Sequence, residues 1–483
     1  MSVQNAGILP NTRQILTASV LYGAADMLVL AVGGFLLLPL YTRQLTQAEF
    51  GAYVIVKTNI EILSFVLHFG LVSAVARVYF DYRKSGQHID YLNSVVLLFG
   101  IILLTAVSLL ALWGDRAWAL LSPGVPASPY LWYCVAISAM AFAASLGSTW
   151  LRLEGRARAF TFLQVATAAL LGAAAFINLK VLRLGLPGLL LALFASSMLS
   201  AAALPWLFGA RFRLTLRWVH LRTSLHYALP IVAGLLAYFV LNRASTLILQ
   251  RHVSVEQVAV FGLAQQLAML VTIAGAAFGK AMQPAVFSAD STHAPDLMRR
   301  SARVLIVGML CVTCLVLLFA SNIVAVVAPP SYRDSHEILL ILIVAAFVYS
   351  FSLISDTALL YHRRPKSSAA VSIAGAVLSA SLGLWLIPQY GLHGAAIAVA
   401  VAFLAVTLLS HALAYRLTGH SYLRSMTLAL GAACGVAAVA AWIERLDPPL
   451  AISIGIKIAV AGFLVATLLH FYVRKSSPTQ SST

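Results

Sequence analysis

Charge is what this chain has least of. Only 10% of its 483 residues are Asp, Glu, Lys or Arg, against about a quarter in soluble globular proteins. That scarcity excludes an ordinary soluble enzyme, and it excludes a disordered chain, which stays unfolded through high charge and low hydrophobicity. Cysteine is sparse too. The four present, Cys134, Cys311, Cys314 and Cys434, all fall inside apolar runs, which excludes a secreted disulfide scaffold. Cys311 and Cys314 form a CxxC placed mid-helix without a second ligand pair, and it reads as packing rather than metal or redox chemistry. Long polar connections are also missing. No HExxH, GxSxG or P-loop occurs, and the connections are too short to house a soluble catalytic domain.

What is present is apolar sequence, 61% of the residues. A membrane-crossing helix needs about 20 apolar residues. Hydropathy windows place fourteen such spans, near 17–40, 51–75, 91–113, 129–150, 159–179, 187–208, 228–250, 258–280, 303–328, 337–360, 367–387, 393–415, 425–443 and 450–472. Turn residues punctuate them, as at Ser122-Pro123-Gly124, Pro329-Pro330, Pro388 and Pro448-Pro449. The first run is longer than the apolar region of a signal peptide and is expected to stay as a helix. The fold class is an all-α polytopic membrane protein.

Basic residues set the orientation. With the N-terminus inside, inner loops and tails hold 21 Lys or Arg, outer loops 7 and spans 4. Acidic residues divide 5 inside, 7 outside and 3 within spans, so the inner face carries +16 and the outer face none. That is the positive-inside pattern, with both termini cytoplasmic. It accounts for the net charge of +17 without nucleic acid as a partner. Arg211, Arg213, Arg217 and Arg222 read as topology signals beside anionic lipid. The histidines His220, His226 and His293 lie among these inner basic loops and read as interfacial rather than metal-binding.

The chain also repeats itself. Arg43, Thr46, Glu49 and Tyr53 recur as Arg251, Ser254, Gln257 and Phe261, an offset of 208. Thr46…Glu49 and Ser254…Gln257 are both capping boxes, in which hydroxyl and N3 side chain each satisfy a free backbone N–H at a helix start. Arg156-Ala157-Arg158 lies 208 residues before Arg364-Pro365-Lys366, and Gly185-Leu186-Pro187-Gly188 lies 206 before Gly391-Leu392-His393-Gly394. Six helices per repeat is an even number, so the two units run the same way across the membrane. The expected organisation is a six-helix bundle over 1–215, a second over 216–420, and two extra spans with a short tail over 421–483. Transporters built from such repeats bind near the midplane, which directs attention to spans one, two, seven, eight and ten.

Six ionisable residues lie well within spans: Asp26, Lys57, Glu61, Arg243, Asp356 and Lys457. Facing lipid, they would together cost about 15–21 kcal/mol, so they should line a wet cavity, pair, or snorkel. On span two, Lys57, Glu61, Ser64 and His68 form one helical stripe. It lines something polar, or else Lys57 bridges Glu61 while Ser64 and His68 pack between helices. Tyr22 and Asp26 share a face of span one, Tyr238, Asn242 and Ser245 a face of span seven, and Tyr349, Ser352 and Asp356 a face of span ten. Gln265 and Gln266 give span eight two amides. Arg243, with a fork suited to phosphate, is either an anion contact, a partner of Asp356, or a snorkelling side chain. Lys457, in the appended spans, reads as peripheral.

The stretch from Pro39-Leu40-Tyr41-Thr42-Arg43 through Leu45-Thr46 and Glu49-Phe50-Gly51-Ala52-Tyr53 resembles the N-terminal signature of Wzx-type polysaccharide flippases. These belong to the multidrug/oligosaccharidyl-lipid/polysaccharide (MOP) exporter superfamily. Ile387-Pro388-Gln389-Tyr390-Gly391-Leu392-His393-Gly394 is similar to that family's turn before span twelve, and Tyr227-Ala228-Leu229-Pro230 to its opening of span seven. The resemblance implies two six-helix bundles in the bacterial inner membrane. They would flip an undecaprenyl-pyrophosphate-linked oligosaccharide to the outer leaflet by alternating access through a cationic cavity. Its partners would be that lipid-linked oligosaccharide, membrane lipids, and the polysaccharide polymerase or ligase machinery. No cofactor is implied; H+, Na+ or the membrane potential would drive the cycle. Asn242 stands beside Arg243 where relatives often carry an acid.

Two other classes remain open at this point. A cation-coupled multidrug exporter of the same superfamily would use embedded carboxylates, for which Asp26, Glu61 and Asp356 could serve. A membrane polymerase or ligase would need a substantial outer loop with catalytic groups, and the stretch over 114–128 offers only Asp115 and Arg116.

Overall fold

The computed structural model describes residues 12–202, 204, 215–287, 294–446 and 453–462. Arg211, Arg213, His293, the C-terminal half of the last span and the tail lie outside these residues. Among the described residues all regular structure is helical. Eleven helices are long and apolar enough to cross a membrane, and Gly185–Ala201 and Ser453–Gly462 are shorter apolar helices. One of the eleven, Pro365–Thr418, breaks at Gly391 and so supplies two spans. The chain is therefore a multi-pass membrane protein, and its described residues place an apolar helix at each of the fourteen expected positions.

In chain order the spans are α1 (Leu21–Gln44), α2 (Gln47–Lys84), α3 (His88–Leu121), α4 (Tyr130–Leu153), α5 (Ala157–Val181) and α6 (Gly185–Ala201). Then follow α7 (Trp218–Leu249), α8 (Val255–Gly279), α9 (Pro295–Leu318), α10 (Ser335–Tyr361), α11 and α12 (365–390 and 392–418), α13 (Leu423–Arg445) and α14 (Ser453–Gly462). The third span runs about two turns past the 113 expected, because nothing breaks the helix before Ser122-Pro123-Gly124; Asp115 and Arg116 are helical, not loop, residues. The residues group into two compact units, Met1–Leu236 and Ala237–Thr483.

Local chemistry starts and stops these helices at repeated positions. Thr46 and Glu49 form the full capping box at the head of α2, with Thr46 N–H donating to Glu49 Oε2 at 2.9 Å and Glu49 N–H to Thr46 Oγ1 at 3.2 Å. Ser254 and Gln257 do the same for α8 at 3.4 and 3.3 Å. The end of α4 closes with Arg156 N–H on Leu151 O and Gly155 N–H on Arg152 O. The end of α10 closes with Arg364 N–H on Leu359 O and Arg363 N–H on Leu360 O, every residue 208 further on. Gly155 (φ 69°) and Arg363 (φ 55°) take the left-handed conformation such a stop requires. Gly185 and Gly391, at φ 59° and 52°, open α6 and α12. The repeat read in the sequence is thus a repeat of backbone turns.

Within the first unit α4 packs on α2 and α6, while α5 packs on α1 and α6. Within the second, α10 packs on α8 and on the α11–α12 helix, and α13 packs on α9. Lipid offers no hydrophobic drive to join helices, so small polar side chains bonded to neighbouring backbones do the stitching. Ser138 Oγ donates to Ile60 O at 3.1 Å and Cys134 Sγ to Val56 O at 3.6 Å, tying α4 to α2. Thr407 Oγ1 donates to Val348 O at 3.0 Å, tying α12 to α10. All four cysteines are free thiols. Leu104 and Leu112 of α3 are largely exposed, as side chains facing hydrocarbon should be.

Candidate functional site

Each unit places its own embedded charges. In the first, α1 carries Asp26 to the end of α4, where Arg152 Nη2 donates to Oδ1 at 2.8 Å and to Oδ2 at 3.0 Å. Gln164 Nε2 of α5 lies 3.5 Å from Oδ1, and the Arg152 guanidinium stacks 4.6 Å from the Phe160 ring centre. Arg152 and Asp26 keep 44% and 41% of their side-chain surface uncovered by the protein. Arg152 lies at the last turn of α4, beyond the apolar span expected over 129–150. Its part in this cluster needed knowledge of which face of α4 meets α1.

The stripe on α2 divides. Lys57, Glu61 and Ser64 are half-buried, with Lys57 Nζ 5.9 Å from the Tyr53 ring centre. His68 turns to α4 instead: its Nε2 lies 3.1 Å from Ser138 O, and its ring meets Phe142 edge-on at 5.4 Å. Phe142 in turn stacks on Phe99 at 3.7 Å. For His68, interhelical packing is what the structure shows. His68→Phe should therefore cost the protein no more than about 1 kcal/mol of stability, the contribution of one neutral hydrogen bond. Melting of the detergent-solubilised protein checks this, and a loss well beyond it would show that more than this one contact rests on His68.

In the second unit the main constellation joins α7 and α8. Arg243 Nη1 donates to Gln265 Oε1 at 3.0 Å, and Thr246 Oγ1 donates to the same oxygen at 3.2 Å. Gln265 Nε2 donates to Asn242 O at 2.9 Å, so the amide is held at both ends and fixes one edge of the guanidinium. The Asn242 side chain is used locally, donating to Tyr238 O at 2.8 Å. Gln266 is half-buried on the next position of α8. Asp356 accepts from Ser368 Oγ of α11 at 3.1 Å, and Arg243 turns to Gln265. The two units therefore present an Arg–Asp pair on one side of the repeat and an Arg–Gln pair on the other.

Two positions differ from the sequence reading. His220 is buried, not interfacial: it packs edge-on against Tyr82 at 4.7 Å, and its Nδ1 lies 3.1 Å from Ser94 Oγ. Lys457 is not peripheral to the protein. It is 1% exposed, its Nζ donates to Ser321 Oγ at 2.9 Å and Asn322 Oδ1 at 2.7 Å, and Glu444 Oε1 lies at 3.7 Å. Facing lipid would cost about 2.5–3.5 kcal/mol, which these contacts avoid. The sequence signal was a lone Lys in an apolar helix, discounted because α14 has no counterpart in the repeat.

A family profile described as "Polysaccharide biosynthesis protein" matches residues 40–337, more than half of the chain. No curated protein matches by sequence. Among solved structures, the chain is similar to the lipid II flippase MurJ in an inward closed conformation. That likeness has a TM-score of 0.73 at 12% identity and covers 95% of this chain and 99% of that one. It is also similar to a multidrug resistance MATE family transporter of the MOP superfamily. The inward-facing form gives 0.64 at 18% identity over 83% and 94% of the two chains. The outward-facing form gives 0.59 at 17% over 83% and 95%. At these identities the likeness is one of fold.

Proposed function

The chain belongs to the polysaccharide biosynthesis protein family, and from that premise we propose that it is a flippase. Its cargo would be a lipid-linked oligosaccharide, with undecaprenyl pyrophosphate as carrier, carried from the inner to the outer leaflet of the bacterial cytoplasmic membrane. The observation that carries this reading is the held guanidinium of Arg243, set by Gln265 inside an apolar span.

Moving such a substrate means sheltering a charged, hydrated head group while the polyprenyl tail stays in hydrocarbon. Arginine suits the pyrophosphate because its planar fork pairs with two phosphate oxygens at once and it stays protonated in an apolar setting. Lys57 would add positive charge from the first unit, where Arg152 is already paired with Asp26. Asn242, Gln265, Gln266 and Glu61 would offer hydrogen bonds to sugar hydroxyls, and Asp26 and Asp356 would be the carboxylates able to exchange a coupling H+ or Na+. Alternating access, the cycle of transporters built from parallel repeats, would carry the head group across. No covalent step on the substrate is required, so the protein acts as a transporter rather than an enzyme. The fold that the chain shares with a lipid II flippase supports the same reading. Likeness to MATE transporters keeps multidrug export as the competing outcome.

The test is deletion of the gene in its native host. Surface polysaccharide should disappear, and lipid-linked oligosaccharide should accumulate on the inner leaflet until the wild-type gene is restored. Unchanged surface polysaccharide, together with new sensitivity to cationic drugs, would overturn the flippase reading in favour of a drug exporter.

A further inference from the structure

At one end of the second unit lies a cavity of about 1050 Å³. Its walls come from the head of α8, the short helix Ala320–Val327 that follows α9, the turn into α10, the α11–α12 kink and the two appended helices. By the distribution of basic residues this is the outer end. The first unit has no appended helices, and at its equivalent turn the Glu49 carboxylate fills the space against Gly185. In the second unit the matching residues, Gln257 and Gly391, line open volume instead.

The deepest wall is a charged relay. Lys457 is held by Ser321 and Asn322, Glu444 lies 3.7 Å from it, and His336 Nδ1 lies 3.1 Å from the other Glu444 oxygen. Among the described residues His336 Nε2 and Glu444 Oε1 have no hydrogen-bond partner. A buried lysine beside a half-buried carboxylate and imidazole, with capacity left over, is what a ligand-binding wall requires and what plain packing avoids. Nearer the mouth stand Glu337 and His393, 3.4 Å apart, and the ring of Tyr390, which is 59% exposed.

The balance of charge decides the ligand class. Three carboxylates, Asp334, Glu337 and Glu444, face two permanent cations, Arg333 and Lys457. Such a lining repels a pyrophosphate. It suits a neutral polyhydroxylated ligand, whose hydroxyls both donate to carboxylates and accept from lysine and imidazole, and whose apolar ring face can lie on Tyr390. The volume exceeds the roughly 300–1,000 Å³ of small-molecule sites, leaving room for more than one sugar ring. We infer that this outer-end cavity is a carbohydrate subsite, which receives neutral sugars of the oligosaccharide head group as it reaches the outer leaflet. The inference rests on the flippase reading but concerns different residues from the Arg243 constellation.

Photocrosslinking tests it in the intact protein. A p-benzoylphenylalanine is placed at position 390 or, as a control exposed on α13, at position 428, in cells whose lipid-linked oligosaccharide is labelled with radioactive glucose. The position 390 protein should carry at least fivefold more sugar label than the position 428 protein. Glu444→Gln should cut that label at least fivefold at an unchanged protein level. Glu337→Gln, at the exposed rim where folding is not at risk, should lower it about threefold. Equal labelling at 390 and 428, in a host whose polysaccharide export depends on the gene, would overturn the subsite and leave the flippase standing. A host whose export does not depend on the gene would overturn both.

Discussion

Arg243→Ala is expected to reduce surface polysaccharide about 10- to 100-fold while leaving the protein folded and in the membrane. That range is the loss of one charged hydrogen-bonding group, worth about 1.5–3 kcal/mol. Its Nη1 donates to the Gln265 amide, which keeps its bonds to Thr246 and Asn242 without it. Arg243→Lys should fall between the two, since it retains the charge and loses the fork. Gln265→Leu should cost about three- to tenfold by releasing the guanidinium from its fixed edge. Quantified surface sugar, set against the amount of a fluorescent fusion in the membrane, reads all three. Wild-type export from Arg243→Ala would remove the arginine from the transport path.

The second large effect is on folding. A methyl group at Gly394 would press on the main chain of Leu386, against its carbonyl oxygen and 2.7 Å from its carbonyl carbon, and would stand 3.1 Å from Ile387 N. These are backbone atoms at the kink where Gly391 adopts φ 52° and ψ −124°, and they cannot swing aside as a side chain could. Gly394→Ala should therefore destabilise the second unit by about 3 kcal/mol or more, at the upper end of overpacking costs. Gly435→Ala, where a methyl group meets nothing within 4 Å, should leave stability unchanged or slightly raised by the better helix propensity of alanine. Melting of the detergent-solubilised protein, followed by size-exclusion chromatography, separates the two. Equal melting temperatures would show that the kink can flatten.

Much of the fold was legible because its rules are local. A capping box, a left-handed glycine and a proline act on neighbours in sequence, so Thr46 with Glu49 and Ser254 with Gln257 could be read before any helix was placed. The same locality made the repeat visible, since turns keep their residues while lipid-facing positions drift. Partnerships between helices were not legible. Asp26 finds Arg152 and Lys457 finds Asn322 across more than a hundred residues, by the rotation of helices about their own axes, which no local rule fixes. His68 shows the limit within a single helix: it shares a stripe with Lys57 by spacing, yet Ser138 and Phe142 of α4 claim it.

The cluster at Lys457 ties the end of the chain to the helices before it. Ser321, Asn322 and His336 precede the last two helices, while their partners Lys457 and Glu444 sit on those two helices. Cutting the chain after α12 would remove both charged partners at once and leave three polar side chains unanswered. A shortened protein would pack as well only with apolar residues at those three positions.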